Sequence, residues 1–390
     1  MGFGMNYCAR GIVGMHEPPR DISPTPRRVI FFASSYGVGL TSLLSEQACC
    51  IAAQSKGCFL FISGEKEQFP GLFDKLQKNH VNYAKISGLD EHRNFAALVR
   101  KFREYVDQFR PNVIHAHTNW QLAIAAAVKY LYRKRYSLVY TVHGYRHNHR
   151  YRSLLARYLI GIGLYFLADK IITPSSFLRK KFSFLGARSN VLFVGVDEVF
   201  YDNCALPSFD GAKRFIFSGE FREGKNQDML IRVLRKYIDR TGDDNTELYL
   251  PGEGATLPAC KALCQQLGLE NKVFFPGFLS RSEMLKYYLM CQFALVPSNV
   301  ETFGQCVSEP YALGRVVMSR HVGVADDIII PGETGFFFDT EADLLEAMAD
   351  VLSDKERCRS ISRNAYDGRE AFRWSTICRQ YLNVIEGMPS

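Results

Sequence analysis

A chain of 390 residues is longer than one hydrophobic core usually serves, so two or three domains are expected. With 47% hydrophobic and 23% charged residues it has a globular composition, which excludes disorder over any large part. The net charge of +8 is uneven: residues 1–195 hold 27 Lys and Arg against 11 Asp and Glu, or +16, and residues 196–390 hold 21 against 29, or −8. A basic half is drawn to phosphates, nucleic acid or an anionic membrane surface.

Residues 1–27 mix Gly, Pro and Met without periodicity and read as a loose leader, with no apolar core long enough for a signal peptide. Short β-branched and aromatic runs then alternate with helix-length segments such as 94–109 and 119–132. The runs are RVIFFA (28–33), CFLFIS (58–63), VNYAKI (81–86), NVIHAH (112–117), SLVYTV (137–142), KIITP (170–174) and NVLFVG (190–195). Residues 202–211, containing Pro207, break this rhythm and form the candidate linker. A second series follows in KRFIFSG (213–219), TELYLPG (246–252), KVFFPG (272–277), FALVPS (293–298) and RVVMS (315–319), and residues 374–386 read as a closing helix. The alternation predicts two α/β domains, each a Rossmann-like, doubly wound parallel sheet, over 28–200 and 212–369. Ligands of such sheets lie beyond the carboxyl ends of the strands, so facing domains make a cleft.

The uncharged run at 158–168 has about half of the roughly 20 residues that a spanning helix needs. Beside it, basic residues interleave with aromatics and His in YLYRKRY (130–136) and GYRHNHRYR (144–152). A solvated helix face and a membrane-surface patch both fit this pattern; in the patch each Lys or Arg adds about 1 kcal/mol near anionic lipid. No nucleic-acid module accompanies the charge, so nucleic acid is not an expected partner. The 11 cysteines are odd in number and form no C-x-x-C, so a reducing cytosol is the simpler compartment. Cys260 and Cys264 stand one helical turn apart, without nearby partners for a metal site.

The candidate functional loops all follow strands. SSYGVGL (34–40) carries Gly37 and Gly39, which let backbone amides approach a ligand before the next helix, although the P-loop spacing fails. His117 ends NVIHAH; Gly219 turns the chain after KRFIFS, and Lys225 stands at a helix threshold. ETFGQCVSEP (301–310) places Glu301 and Glu309 around Thr302 and Gln305, which have the spacing of a capping box. Taken alone, this stretch reads first as a capped helix carrying a solvated Glu and second as an anion site at a helix opening, with the two glutamates accepting from hydroxyls. His143, in YTVHGY, reads first as a loop brace and second as an acceptor-side residue. His147 and His149 face opposite ways on a helix and do not make a metal pair. Asp243-Asp244 and Asp326-Asp327 read as turn or helix-start residues.

Strand, Gly, Lys and helix, followed by P-S-x-x-E-x-F-G and a second Glu, resemble the retaining GT-B glycosyltransferases of family four (glycosyl transferases group 1). The resemblance spans nearly the whole chain, through SYGVGL, VIHAH, YTVHGY, ADKIITPSS, GVD, FSGEFREGKNQ, FFPGF, VPSNVETFGQCVSEPYALG and PGETGFFFD. It implies a UDP- or GDP-linked hexose or N-acetylhexosamine as donor, with no cofactor and no metal. It places Lys225 on the diphosphate, Glu309 on the ribose diol, and Glu301 with the amides near Phe303 and Gly304 on the transferred sugar. His117 would face that sugar from the other domain, making His117 and Glu301 the implied catalytic residues. Gly37, Gly39, Gly219, Arg222 and Phe278 complete the implied donor-binding set. Residues 370–390 would pack back on the first domain. With the basic, aromatic first half, this points to a polyprenyl-diphosphate-linked, glycolipid or polysaccharide acceptor, of the lipopolysaccharide-biosynthesis type, and to a cytoplasmic protein peripheral on the inner face of the plasma membrane.

Three positions depart from the family's pattern. Glu220 stands where an Arg follows the diphosphate-loop glycine, with Arg222 as a candidate replacement; Val194 replaces an Asn; and Pro310 follows Glu309, where it should bend or delay the helix. Glu220 keeps open a catalytically silent GT-B subunit that docks on a membrane partner. The shared architecture also admits a sugar-nucleotide epimerase or a phosphorylase.

Overall fold

The computed structural model describes residues 27–32, 38–54, 58–63, 72–87, 89, 94–143, 165–182, 189–202, 205–386 and 388. Strand runs whose central members are hydrophobic and buried on both faces assemble into two all-parallel sheets, as expected when helices cover both sides. The first contains β1 (Arg28–Phe32), β2 (Cys58–Ser63), β3 (Asn82–Lys85), β4 (Val113–Ala116), β5 (Ser137–Thr141), β6 (Lys170–Thr173) and β7 (Ser189–Val191), in the order β3-β2-β1-β4-β5-β6-β7. The second contains β8 (Lys213–Ile216), β9 (Thr246–Tyr249), β10 (Val273–Phe274), β11 (Phe293–Val296), β12 (Val316–Ser319) and β13 (Gly335–Phe337), in the order β10-β9-β8-β11-β12-β13. Both orders reverse direction once, between β1 and β4 and between β8 and β11. At such a switch point the neighbouring loops diverge and leave a crevice.

Twelve of the observed strands fall on the runs read from the sequence, mostly shortened; KVFFPG keeps only Val273–Phe274. β13 was passed over because three residues opening on a glycine carry little strand signal. The linker region from 205 to 212 has no helix or strand. It is tied down by Arg315, whose buried guanidinium donates to the Ala205 carbonyl at 2.6 Å.

Two more expectations are corrected. The helix Val38–Gln54 starts before Gly39, so Gly39 lies in its first turn rather than in a preceding loop; Gly37 lies outside the described residues. Pro310 does not delay its helix, which opens at Gln305 and runs to Ala312 with Pro310 inside it.

The closing helix Trp374–Glu386 buries Trp374, Ile377, Cys378, Tyr381 and Ile385, a single stripe at helical spacing. That stripe packs on the first sheet and on the helix Val38–Gln54: the Tyr381 ring lies tilted 6.0 Å from Phe31 and stacks 5.2 Å from His115, and Gln54 Nε2 donates to the Ser375 carbonyl at 3.1 Å. At its start the Trp374 indole lies against Gly195, where an added Cβ would sit 2.3 Å from the ring. The two sheets also meet where Ser175 Oγ donates to the Thr302 carbonyl at 2.6 Å and Asp327 Oδ2 accepts from the Ser176 amide at 2.9 Å. Trp374→Ala should cost about 3 kcal/mol or more, the usual loss for a buried Trp, and lower the thermal midpoint. An unchanged calorimetric melting curve would show that this crossing contributes nothing to holding the molecule.

Candidate active site

The second sheet builds its site around the β8/β11 switch point. After β8 the chain runs Phe217, Ser218, Gly219, and the Gly219 amide donates to the Pro251 carbonyl at 3.1 Å. Gly252 packs so closely on this turn that a Cβ there would lie 2.0 Å from the Gly219 carbonyl oxygen, and its φ of 141° also favours glycine. The loop ends at Gly224 and Asn226, both at positive φ, before the helix Gln227–Thr241. Asn226 Nδ2 donates to the Pro297 carbonyl and to Asn299 Oδ1, each at 2.8 Å, and the Asn299 amide returns a bond to the Gly224 carbonyl. These crosslinks lash the loop after β8 to the loop after β11.

Between them Lys225 Nζ pairs with Glu301 Oε1, and both side chains are about nine-tenths buried, at 11% and 12% exposure. Glu301 Oε1 also accepts from Cys306 Sγ at 3.7 Å. Burial raises the Cys306 thiol well above its usual range, and the carboxylates of Glu301 and Glu309 both act on it. Cys306 thus lies between the two glutamates and remains a neutral thiol.

Glu309 sits on the helix Gln305–Ala312, whose residues from Cys306 to Ala312 are all buried. Burial pushes its carboxyl up from the ordinary range, while Arg281 and Tyr288 pull it back. Arg281 Nη1 pairs with Glu309 Oε1, Tyr288 Oη donates to Oε2 at 3.2 Å, and Ser218 Oγ lies 2.8 Å from Tyr288 Oη. Arg281, Tyr288 and Ser218 were missed in the sequence. A weak signal existed in SRSE (280–283), whose Ser280–Glu283 capping box fixes the helix Arg281–Met290 and hence the direction of Arg281.

The Thr302–Gln305 capping box does not form. Gly304 is the N-cap, at φ 91°, with no side-chain cap, and the Thr302 carbonyl is taken by Ser175. The turn at 301–304 is instead held from below by Gly323, where a Cβ would meet the Phe303 carbonyl oxygen at 2.1 Å, and by the Val324 amide, which donates to that oxygen at 2.6 Å. The Phe303 ring is buried near Phe193 and Phe372, so this residue offers the site its backbone. Glu220 Oε2 lies 3.2 Å from Arg222 Nε, and both side chains are more than half exposed. Phe278 is 78% exposed.

His117 belongs to a separate cluster at the carboxyl edge of the first sheet. Its Nδ1 lies 2.9 Å from His143 Nε2, its ring lies tilted with its centroid 4.0 Å from that of His115, and its amide donates to Gln121 Oε1 at 3.1 Å. His117 Nε2 is buried without a partner among the described residues. His143 is therefore the brace of His117; His147 and His149 lie outside the described residues. Burial lowers all three histidines, His143 to about 4 and His115 and His117 well below their ordinary value, so the cluster is neutral. The acid pairs prove structural: Asp243 and Asp244 take Lys213 and Lys272, and Asp326 and Asp327 open a short helix at the domain contact. Cys260 and Cys264 are buried thiols pushed up to about 11 and about 12.

A neutral buried histidine binds fewer protons folded than unfolded, so stability is complete above the unfolded value near 6.5 and falls as pH drops toward about 4. Denaturant midpoints should accordingly decline between pH 6.5 and pH 4.5, and His143→Gln should flatten that slope; equal slopes in both proteins would refute the assignment.

Comparison with known proteins bears on the fold and the family. The family model described as glycosyl transferases group 1 matches residues 205–368, and that described as glycosyltransferase family 4 matches residues 68–199. An uncharacterised glycosyltransferase, YqgM of Bacillus subtilis, is 27% identical over 72% of this chain and 78% of its own length. An N-acetylgalactosaminyltransferase of Campylobacter jejuni, named for a diphospho-undecaprenol-linked acceptor, is 27% identical over 61% of this chain and 65% of its own. An uncharacterised glycosyltransferase of Methanocaldococcus jannaschii is 31% identical, over 45% of each chain, so this match spans about half of that relative. Among solved structures, HepE of Anabaena in complex with UDP superposes with a TM-score of 0.76 at 19% identity, covering 93% of this chain and all of that one. That likeness identifies the two-sheet architecture as GT-B.

Proposed function

Because the chain belongs to the family-four, group 1 glycosyltransferases, we propose that it moves a hexose or N-acetylhexosamine from a UDP- or GDP-sugar to a hydroxyl of a lipid-linked or polysaccharide acceptor, with retention of configuration and without a metal. The observation that carries this reading is that Lys225 pairs with Glu301, while Glu309 is tied through Tyr288 to Ser218, in the loop after β8 at the same switch point. A nucleotide-sugar donor leaves as a diphosphate, so transfer needs positive charge and hydrogen-bond donors at that group. An ammonium has three N–H donors, and Glu301 uses one. Among the described residues the other two have no acceptor, which leaves them for diphosphate oxygens, reinforced by the N-terminal end of the helix Gln305–Ala312. Glu301 is then left to accept from hydroxyls of the transferred sugar, and Glu309 from the ribose.

On this reading retention needs no protein nucleophile: the departing phosphate oxygen takes the acceptor's proton as the new glycosidic bond forms on the same face. His117 contributes a neutral, braced imidazole that can hydrogen-bond a sugar hydroxyl without charge repulsion or attraction. The acceptor side is narrowed by topology. Residues 130–136 precede β5 and lie at the amino edge of the first sheet, whereas His117 and His143 lie at its carboxyl edge. The other basic stretch, 144–152, lies outside the described residues.

One observation favours a second reading, a catalytically silent subunit: the carboxylate of Glu220 stands in the donor loop. Its partner Arg222 offsets that charge at the surface, which supports the active enzyme. In a panel of UDP- and GDP-sugars, acceptor-dependent nucleotide release would exclude the silent subunit, and Lys225→Ala or Glu309→Ala should each lower kcat/KM about 100-fold or more, near 2.7 kcal/mol. Undiminished turnover in both variants would remove the proposal.

A further inference from the structure

The helix Arg281–Met290 grips Glu309 with two side chains, and their arrangement bears on what that carboxylate can recognise. Arg281 and Tyr288 are seven residues apart, two turns along one helical face. Arg281 takes Oε1 and the fully buried Tyr288 hydroxyl takes Oε2, so each oxygen of the carboxylate has one fixed donor. An ionised carboxylate is an acceptor only, with about four lone-pair sites over its two oxygens. Among the described residues one site on each oxygen is spent, and one on each remains. Two adjacent acceptor sites on a rigid, planar group match two adjacent hydroxyl donors.

We propose that Arg281 and Tyr288 are positioning residues that make Glu309 a selective receptor for a vicinal diol, so that the site discriminates ribonucleotide from 2′-deoxyribonucleotide donors. This rests on the reading that Glu309 faces the donor's ribose. Three features of the pair support it. Without Arg281, a carboxylate exposed by only 3% has lost its one ionic partner and tends to take up a proton, which would turn an acceptor into a donor on one oxygen. Tyr288 cannot serve as a competing anion, because burial raises its hydroxyl well above its ordinary value and keeps it an O–H donor. Ser218, immediately before Gly219, lies at 2.8 Å from the same hydroxyl and links the receptor's orientation to the start of the diphosphate loop. Arg281 itself is 44% exposed at the mouth of the site, three residues after the solvent-facing Phe278.

The test compares the affinity of the whole protein for UDP and 2′-deoxy-UDP, and for GDP and 2′-deoxy-GDP, by calorimetry, in the wild type, Arg281→Gln, Arg281→Lys and Tyr288→Phe. The wild type should prefer the ribonucleotide by about tenfold or more, as expected for a hydrogen bond to a charged group. Arg281→Gln and Tyr288→Phe should shrink that preference to about threefold or less while affinity for the deoxynucleotide changes little, and Arg281→Lys should restore part of it. Equal weakening of both nucleotides, with the preference intact, would overturn the positioning role and leave these residues as packing. A wild type that binds ribo- and deoxyribonucleotides equally would instead overturn the placement of Glu309 on the ribose. Tyr288→Phe keeps the buried ring, so its result stands even if an Arg281 variant folds poorly.

Discussion

Each cation of the donor loop and its rim is held by a glutamate: Lys225 by Glu301, Arg281 by Glu309, and Arg222 by Glu220. The first two pairs shape everything around them. Glu301 and Glu309 are mostly shielded from water, where an unpaired charge costs several kcal/mol, so each acid depends on its partner to stay ionised. The third pair is largely solvated and is worth about 0–1 kcal/mol. These pairs balance the charge of the site; on the proposed reading a diphosphate takes N–H donors that the glutamates do not use, while the glutamates turn spare lone pairs to hydroxyls.

Topology makes that balance possible. Lys225 and Glu301 are 76 residues apart in the chain, yet they follow adjacent strands, β8 and β11, at the point where the strand order reverses. The crosslinks from Asn226 to the loop after β11 keep the pair in register, and Gly252 and Gly323 allow two backbone segments to approach more closely than any side chain permits. The first sheet repeats the order and puts a different chemistry at its own carboxyl edge, a neutral imidazole cluster roofed by the closing helix. One helix therefore secures the relation of the two halves and the packing behind His117.

Much of the fold was legible in the sequence, because parallel strands buried on both faces are short, near-continuous apolar runs, and KRFIFSG or FALVPS announce themselves. The strand ends, and with them His117, Gly219, Lys225 and Glu301, followed directly. What remained hidden was governed by tertiary contact. Thr302 and Gln305 have the spacing of a cap, but a carbonyl claimed by Ser175 and a glycine at positive φ decide the helix start instead. Arg281 and Tyr288 look like ordinary helix residues, and only the fold brings them to Glu309 from 28 and 21 positions away. Gly39 was placed outside a helix because glycine usually marks a loop, whereas here the first helical turn accommodates it.

The central claim, that Lys225 and Glu301 act on the nucleotide as one unit, is tested most directly by a double-mutant cycle on nucleotide affinity with Lys225→Met, Glu301→Gln and the double variant, titrated with UDP and GDP. The account predicts that Glu301→Gln alone tightens nucleotide binding by freeing the ammonium, that this gain vanishes when Lys225 is absent, and that the coupling is about 1 kcal/mol or more. Effects that add to within about 0.5 kcal/mol would contradict it, since independent residues are expected to sum.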